Sequence, residues 1–272
     1  MKDKAEQARI EVRSYYVRER HAMALRADLK PLFMDVYLHL MQNGVELAPE
    51  HADVLKDGIA GMVLHLTSRP WDEITAWTLN FPQRSLNLFL TGDSQDGYVI
   101  GRVFTEDVRE GEANLFYAQV SRPRTPLRQS TVEFEGADVF SAVEQYYRQS
   151  EQLPARYFRL PDEQYAMVVA QPDIDSVWFE SLDDASARTL DADQELSLLE
   201  QRHFFYGCTC TMQRFYAALA PAAQPLDALF EGDPQIVIDC PRCAAKIPIE
   251  REGFAAYLAE LEQPEEDEAQ GE

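Results

Sequence analysis

All four cysteines of this 272-residue chain fall in one late stretch, paired as Cys208-Thr209-Cys210 and Cys240-Pro241-Arg242-Cys243 with 29 residues between the pairs. No other feature restricts the fold as much. Each pair fits on its own turn, and two such turns can converge on one ion, because four thiolates at about 2.3 Å close a tetrahedral site. The pattern therefore predicts one bound zinc, with Cys208, Cys210, Cys240 and Cys243 as its ligands. The second pair has the common knuckle spacing. The first is a CxC, and its tighter bite suggests a thiolate site that does more than hold a fold together.

The residues around these pairs predict a small module. Ile236-Val237-Ile238 runs into the CPRC turn and Lys246-Ile247-Pro248-Ile249 runs out of it, the pattern of a hairpin. Short helices are expected over 214–219 and 226–230, and a terminal helix over 251–261 with Phe254, Tyr257, Leu258 and Leu261 on one face. A domain this small buries too little surface to be comfortably stable, whereas structural zinc contributes about 10–16 kcal/mol. Losing the metal should therefore unfold the module. The thiolates that bind zinc are also the nucleophilic form of cysteine, so an oxidant that attacks them removes ligands. A neighbouring cysteine can then resolve a sulfenic acid into a local disulfide whose short loop constrains little. On spacing alone an inert structural zinc site, a redox switch, an iron site and a dithiol oxidoreductase all stay open. The last is disfavoured because CPRC follows a strand as a hairpin turn and does not open a helix within a βαβ pattern.

The first two-thirds of the chain mixes helical and strand periodicities. Leu32, Phe33, Val36, Tyr37 and Leu40 recur at helical spacing and stop before Asn43-Gly44. A second helix follows Pro49, with Val54, Leu55, Ile59, Met62, Val63 and Leu66 on one face. Alternation then takes over at Trp77, Leu79 and Phe81 and at Leu86, Leu88 and Leu90, with further strands over 98–104, 115–121 and 130–135 and a helix over 137–149. The predicted fold class is α+β: an antiparallel sheet covered by helices in residues 1–180, an acidic helical linker in 181–206, the Cys₄ zinc module in 207–262, and an acidic disordered tail in 263–272. Within the linker, Leu190, Leu196, Leu198 and Leu199 imply a marginal helix that needs a neighbour's surface.

Charge narrows the partners. With 47 acidic and 25 basic residues, a net charge of -22, the surface repels phosphate backbones and anionic lipid, so neither nucleic acid nor membrane is expected. The first sixteen residues are charged throughout, without the apolar run of a signal peptide, which points to the cytoplasm. Cysteines at such spacings in a reducing compartment are metal ligands or redox groups rather than permanent disulfides. No P-loop, G-x-G-x-x-G, G-x-S-x-G or H-E-x-x-H motif occurs, and no constellation reads as an active site, so the chain is not expected to be an enzyme. His39 and His65 read as core or edge histidines, His203 as a bystander to a filled tetrahedron, and Trp71, Trp77, Tyr146 and Tyr147 as core.

Two segments together resemble the heat shock protein 33 family of redox-regulated chaperones. One is the cysteine module, with Arg214 four residues after Cys210; the other is Tyr146-Tyr147-Arg148-Gln149-Ser150-Glu151-Gln152-Leu153-Pro154, similar to the family's Y-x-x-S-E-Q-x-P segment. The resemblance implies an ATP-independent holdase that is idle when reduced and zinc-bound. On oxidation it would lose zinc, form Cys208–Cys210 and Cys240–Cys243 disulfides, unfold its linker and bind unfolding client proteins, residues 1–180 forming the client-binding core and a second copy joining as a homodimer. The chain departs from the family pattern at Ala244-Ala245, where a glycine and an aromatic are expected, and in the glycines around 92–104. The competing reading is a constitutive binding or scaffold protein with an inert structural zinc site.

Overall fold

The computed structural model describes residues 8–222 and 225–262; the tail expected over 263–272 lies outside the described residues. The chain divides into two compact units between Cys208 and Thr209. In chain order the first unit runs β1 (Ile10–Val17), β2 (Ala22–Asp28), α1 (Lys30–Gln42), α2 (Pro49–Ser68), β3 (Ile74–Phe81), β4 (Leu86–Asp93), β5 (Tyr98–Phe104), β6 (Asn114–Ser121) and β7 (Arg128–Phe134). It continues with α3 (Val139–Tyr146), a π-helical turn (Tyr147–Glu151), β8 (Ala155–Leu160), β9 (Gln164–Ala170), α4 (Ser176–Ser181), α5 (Asp184–Arg188), α6 (Leu190–Asp193) and β10 (Leu196–Tyr206). No helix among the described residues is long and apolar enough to cross a membrane.

Ten strands form one sheet in the order β7-β6-β3-β4-β5-β10-β1-β2-β9-β8. It consists of two five-stranded antiparallel halves. They are joined where β5 and β10 run parallel, a ladder of only Phe205 opposite Tyr98 and Tyr206 opposite Val99. The α+β class predicted from the sequence is therefore the observed one.

Helices begin and end where local chemistry directs. Proline opens both α1 and α2, where its missing N–H costs nothing, and α1 stops at Asn43 ahead of Gly44 with φ of +64°. Asp138 caps α3 by accepting from Ser141 N at 2.8 Å, and Asp183 with Ser186 forms a reciprocal capping box on α5. The predicted face of α2 is buried, while Tyr37 of α1 turns outward. Helix α2 lies on β4, and Gly58 permits that close approach: a Cβ there would stand 2.7 Å from Leu88 Cδ2.

Strand β9 is buried on both faces. Tyr165 meets Phe33 of α1 and Phe140 of α3 on one side, while Ala166, Val168 and Ala170 join a cluster with Phe179, Leu182, Ala187 and Leu190 on the other. Such a strand reads as a continuous apolar run without alternation, which is why sequence periodicity passes over it.

The acidic linker expected as a helix over 181–206 is corrected by the structure. Only α5 and α6 are helical, and β10 is an eleven-residue strand paired along β1 from Ile10 opposite Phe204 to Val17 opposite Leu196. The pairing shifts register between Ser14 and Tyr15, and Arg202 is buried in the middle of the strand. A register break and a buried cation both erase the period-two signal.

The second unit contains α7 (Met212–Leu219), α8 (Leu226–Phe230), the hairpin β11 (Gln235–Asp239) and β12 (Lys246–Glu250), and α9 (Arg251–Glu262). Its small core comprises Phe215, Phe230, Ile249 and Phe254 together with Cys240 and Cys243. Tyr216 lies beside Phe254 and Tyr257, with ring centroids 5.3 and 5.4 Å away.

Candidate metal centre

Each cysteine pair is held by its own local structure. After β10, Gly207 N donates to Val99 O at 3.1 Å, and Cys208 follows directly. Thr209 accepts from Arg214 Nη1 at 2.5 Å, and Thr211, immediately after Cys210, caps α7. These two threonines anchor the CxC segment to the first turn of the helix. On the other side, β11 and β12 pair from Gln235 opposite Glu250 to Asp239 opposite Lys246. The CPRC turn closes with Cys240 N donating to Ala245 O at 2.8 Å and Ala244 N donating to Cys240 O at 2.9 Å. Ala244 stands at φ of +60°, the left-handed conformation that a glycine adopts more easily.

The two pairs come together. The four Sγ atoms all lie within 4.8 Å of one another, and Cys210 Sγ is 3.9 Å from Cys243 Sγ. A tetrahedron with metal–sulfur bonds of about 2.3 Å has edges of about 3.8 Å, so this set could hold a metal ion after small adjustments. Four thiolates select a soft, tetrahedral metal. Cys240 and Cys243 are buried, while Cys208 and Cys210 are half-buried, so the CxC pair is the side that solvent reaches.

Other sequence-level candidates fall elsewhere. His203, five residues before Cys208, is half exposed and faces Glu11 Oε2 at 3.7 Å across the β1–β10 ladder. His65 is fully buried, with Nδ1 2.6 Å from the Tyr147 hydroxyl, and burial holds its pKa well below the ordinary histidine value. His39 packs edge-on against Tyr206. Trp77, Tyr146 and Tyr147 are core residues as expected, but Trp71 is half exposed and covered by the Arg202 guanidinium at 4.3 Å.

No family model matches the chain, and no curated protein matches it by sequence. Among solved structures, it is similar to the 33 kDa chaperonin (heat shock protein 33 homolog) from Thermotoga maritima. The TM-score is 0.72 at 11% identity, over 93% of this chain and 98% of that one. The fold is that of a 33 kDa chaperonin.

Within this chaperonin fold, the cysteine-free segment Tyr146–Pro154 organises a buried ionic cluster that sequence reasoning missed. Glu151, at the end of the π-helical turn, accepts from Arg69 at 3.1 Å, Arg128 at 3.0 Å and the Tyr146 hydroxyl at 2.5 Å. Arg69 also reaches Glu73 at 3.2 Å, and Glu73 pairs with Arg122 at 2.5 Å. Glu73 and Glu151 are nearly inaccessible, and each has two arginines, which is what makes such burial tolerable. Burial against Glu151 pushes the Tyr146 hydroxyl far above its ordinary pKa, so it stays a hydrogen-bond donor. The sequence carries two signals of this cluster, the i,i+4 spacing of Arg69 and Glu73 and the Tyr146–Pro154 segment that holds Glu151.

Proposed function

We propose that this protein is a redox-regulated, ATP-independent holdase chaperone. In the reduced, idle form Cys208, Cys210, Cys240 and Cys243 hold one zinc ion that clamps the two knuckles together. Oxidation couples Cys208 to Cys210 and Cys240 to Cys243. Each new S–S bond takes two electrons from a pair of zinc-bound thiolates; peroxide accepts them with two protons from solvent and leaves as two waters, or hypochlorous acid accepts them with one proton and leaves as chloride and water. The ligand set is then gone and the clamp is lost. The proposed divisions are the core in residues 1–180, the regulatory segment in 181–206 and the switch module in 207–262, with a cytoplasmic setting and a homodimer forming on oxidation.

One observation carries this reading: four cysteine sulfurs within 4.8 Å of one another, drawn from two separate knuckles, in a chain with a 33 kDa chaperonin fold. The regulatory segment supports it further. Helices α5 and α6 have five and four residues, too few to persist alone, and the segment lends Leu182, Ala187 and Leu190 to a cluster with Ala24, Phe158 and Val168. Their release uncovers a contiguous apolar surface of the kind that binds unfolding chains.

The test is a titration of the reduced protein with peroxide under mild unfolding, or with hypochlorous acid, following zinc release, thiol trapping and suppression of client aggregation together. The expected result is one zinc released per chain as thiols disappear and aggregation is suppressed. Oxidised protein that keeps its zinc overturns the proposal. Equal activity in reductant and oxidant would instead assign a constitutive binding protein with an inert metal site.

A further inference from the structure

A cleft of about 400 Å³ lies in the second unit between α7 and α9, lined among others by Thr211, Met212, Tyr216, Gly253, Tyr257 and Glu260. Gly253 lets Tyr216 lie against α9, since a Cβ there would stand 2.7 Å from the Tyr216 hydroxyl oxygen. The rings of Tyr216 and Tyr257 meet at 44° and form a wedge of two π-faces, with a thioether beside them. Glu260 is the one charged residue of the lining. No Lys, Arg or His is among the described residues of the lining, and residues 209–262 carry eight acidic against four basic side chains. Aromatic faces attract organic cations through their quadrupoles, and a carboxylate at the rim adds the charge. An anion would find no basic group in the lining to receive it.

We propose that this cleft binds an alkylammonium group. Its two walls hang from different cysteine pairs: Thr211 follows Cys210 and caps α7, while α9 continues directly from β12, the strand that leaves the CPRC turn. An occupant bridges both walls and therefore binds only while both pairs stay together. This second half rests on the proposed metal site. A ligand that binds only the closed module at ten times its Kd shifts the closed-to-open ratio about elevenfold. Occupancy thus opposes the opening that oxidation promotes, and the cleft regulates the switch.

The experiment titrates the reduced, zinc-loaded full chain with choline, followed by tyrosine fluorescence and by NMR, beside its neutral isostere 3,3-dimethyl-1-butanol. Saturable choline binding, no binding of the alcohol, and at least fivefold weaker choline binding in Glu260→Gln and Tyr257→Leu at unchanged zinc content are expected. Equal binding of the alcohol, or undiminished binding in Glu260→Gln, overturns the cation site. Choline at ten times its Kd should slow chelator-driven zinc release about tenfold; binding without slowing overturns the coupling. Neither outcome touches the redox reading, which stands or falls on zinc loss under oxidant.

Discussion

With φ at +60°, Ala244 adopts a conformation in which its Cβ crowds the following carbonyl, at a cost of about 1–2 kcal/mol that glycine avoids. Glycine brings back about 0.5–1 kcal/mol of backbone entropy in the unfolded chain, so Ala244→Gly should stabilise the second unit by about 0.5–1 kcal/mol. Chelator competition should register this as a two- to fivefold tighter hold on zinc, roughly what that free energy converts to; a weaker hold would show that the strain is not real. His65 contributes a pH dependence to the first unit. Burial and the charges of Arg69 and Arg128 depress its folded pKa, so below about pH 6.5 the unfolded chain binds a proton that the folded chain refuses. Its contribution is present above that pH and is lost as pH falls, at up to about 1.4 kcal/mol per unit. Urea unfolding between pH 6.5 and 5 should show that slope, and His65→Gln should flatten it; an unchanged slope would rule out His65 as the source. At this scale much was legible in the sequence, since thiolate spacing and a histidine among apolar neighbours both speak locally.

Elements with one wet face were readable, because β3 and β4 repeat every second residue over a covered face. Strand β9 has no such face, and β10 hides its nature behind Arg202, whose Nη1 donates to Leu66 O at 2.8 Å near the C-terminal end of α2. That arginine also pairs with Glu200 at 2.8 Å and lies over Trp71. Its contacts are tertiary, and nothing within β10 announces them. Arg202→Ala should destabilise the first unit by about 3 kcal/mol, because it removes both the buried donor and the stem that packs on the indole. Arg202→Met keeps the stem and should recover about half of that loss. Denaturant midpoints at constant slope would measure both, and an alanine variant within about 0.5 kcal/mol of the parent would show that the buried cation does little.

For the whole molecule, the two units differ in how they resist unfolding. The first has an extended core around Leu25, Trp77, Phe116 and Tyr147, whereas the second buries few large side chains besides Phe215, Phe230 and Phe254. Chelation in reductant should therefore open the second unit alone. Trypsin should then cut at Arg214, Arg242, Lys246 and Arg251 and leave a protected fragment that ends at Arg214. Cleavage spread evenly over both units would contradict this. The gathering of the four cysteines was legible because their spacing demands closure, but the join between the halves of the sheet was not, since it rests on Phe205 and Tyr206 meeting a strand about a hundred residues earlier. That join is also the shortest ladder in the sheet, and its last rung, Gly207 to Val99, sits one residue from Cys208. If the CxC turn loosened, the slack would arrive at this two-residue ladder, and unzipping there would leave β5 and β10 as two raw edges, each able to template a strand from another chain.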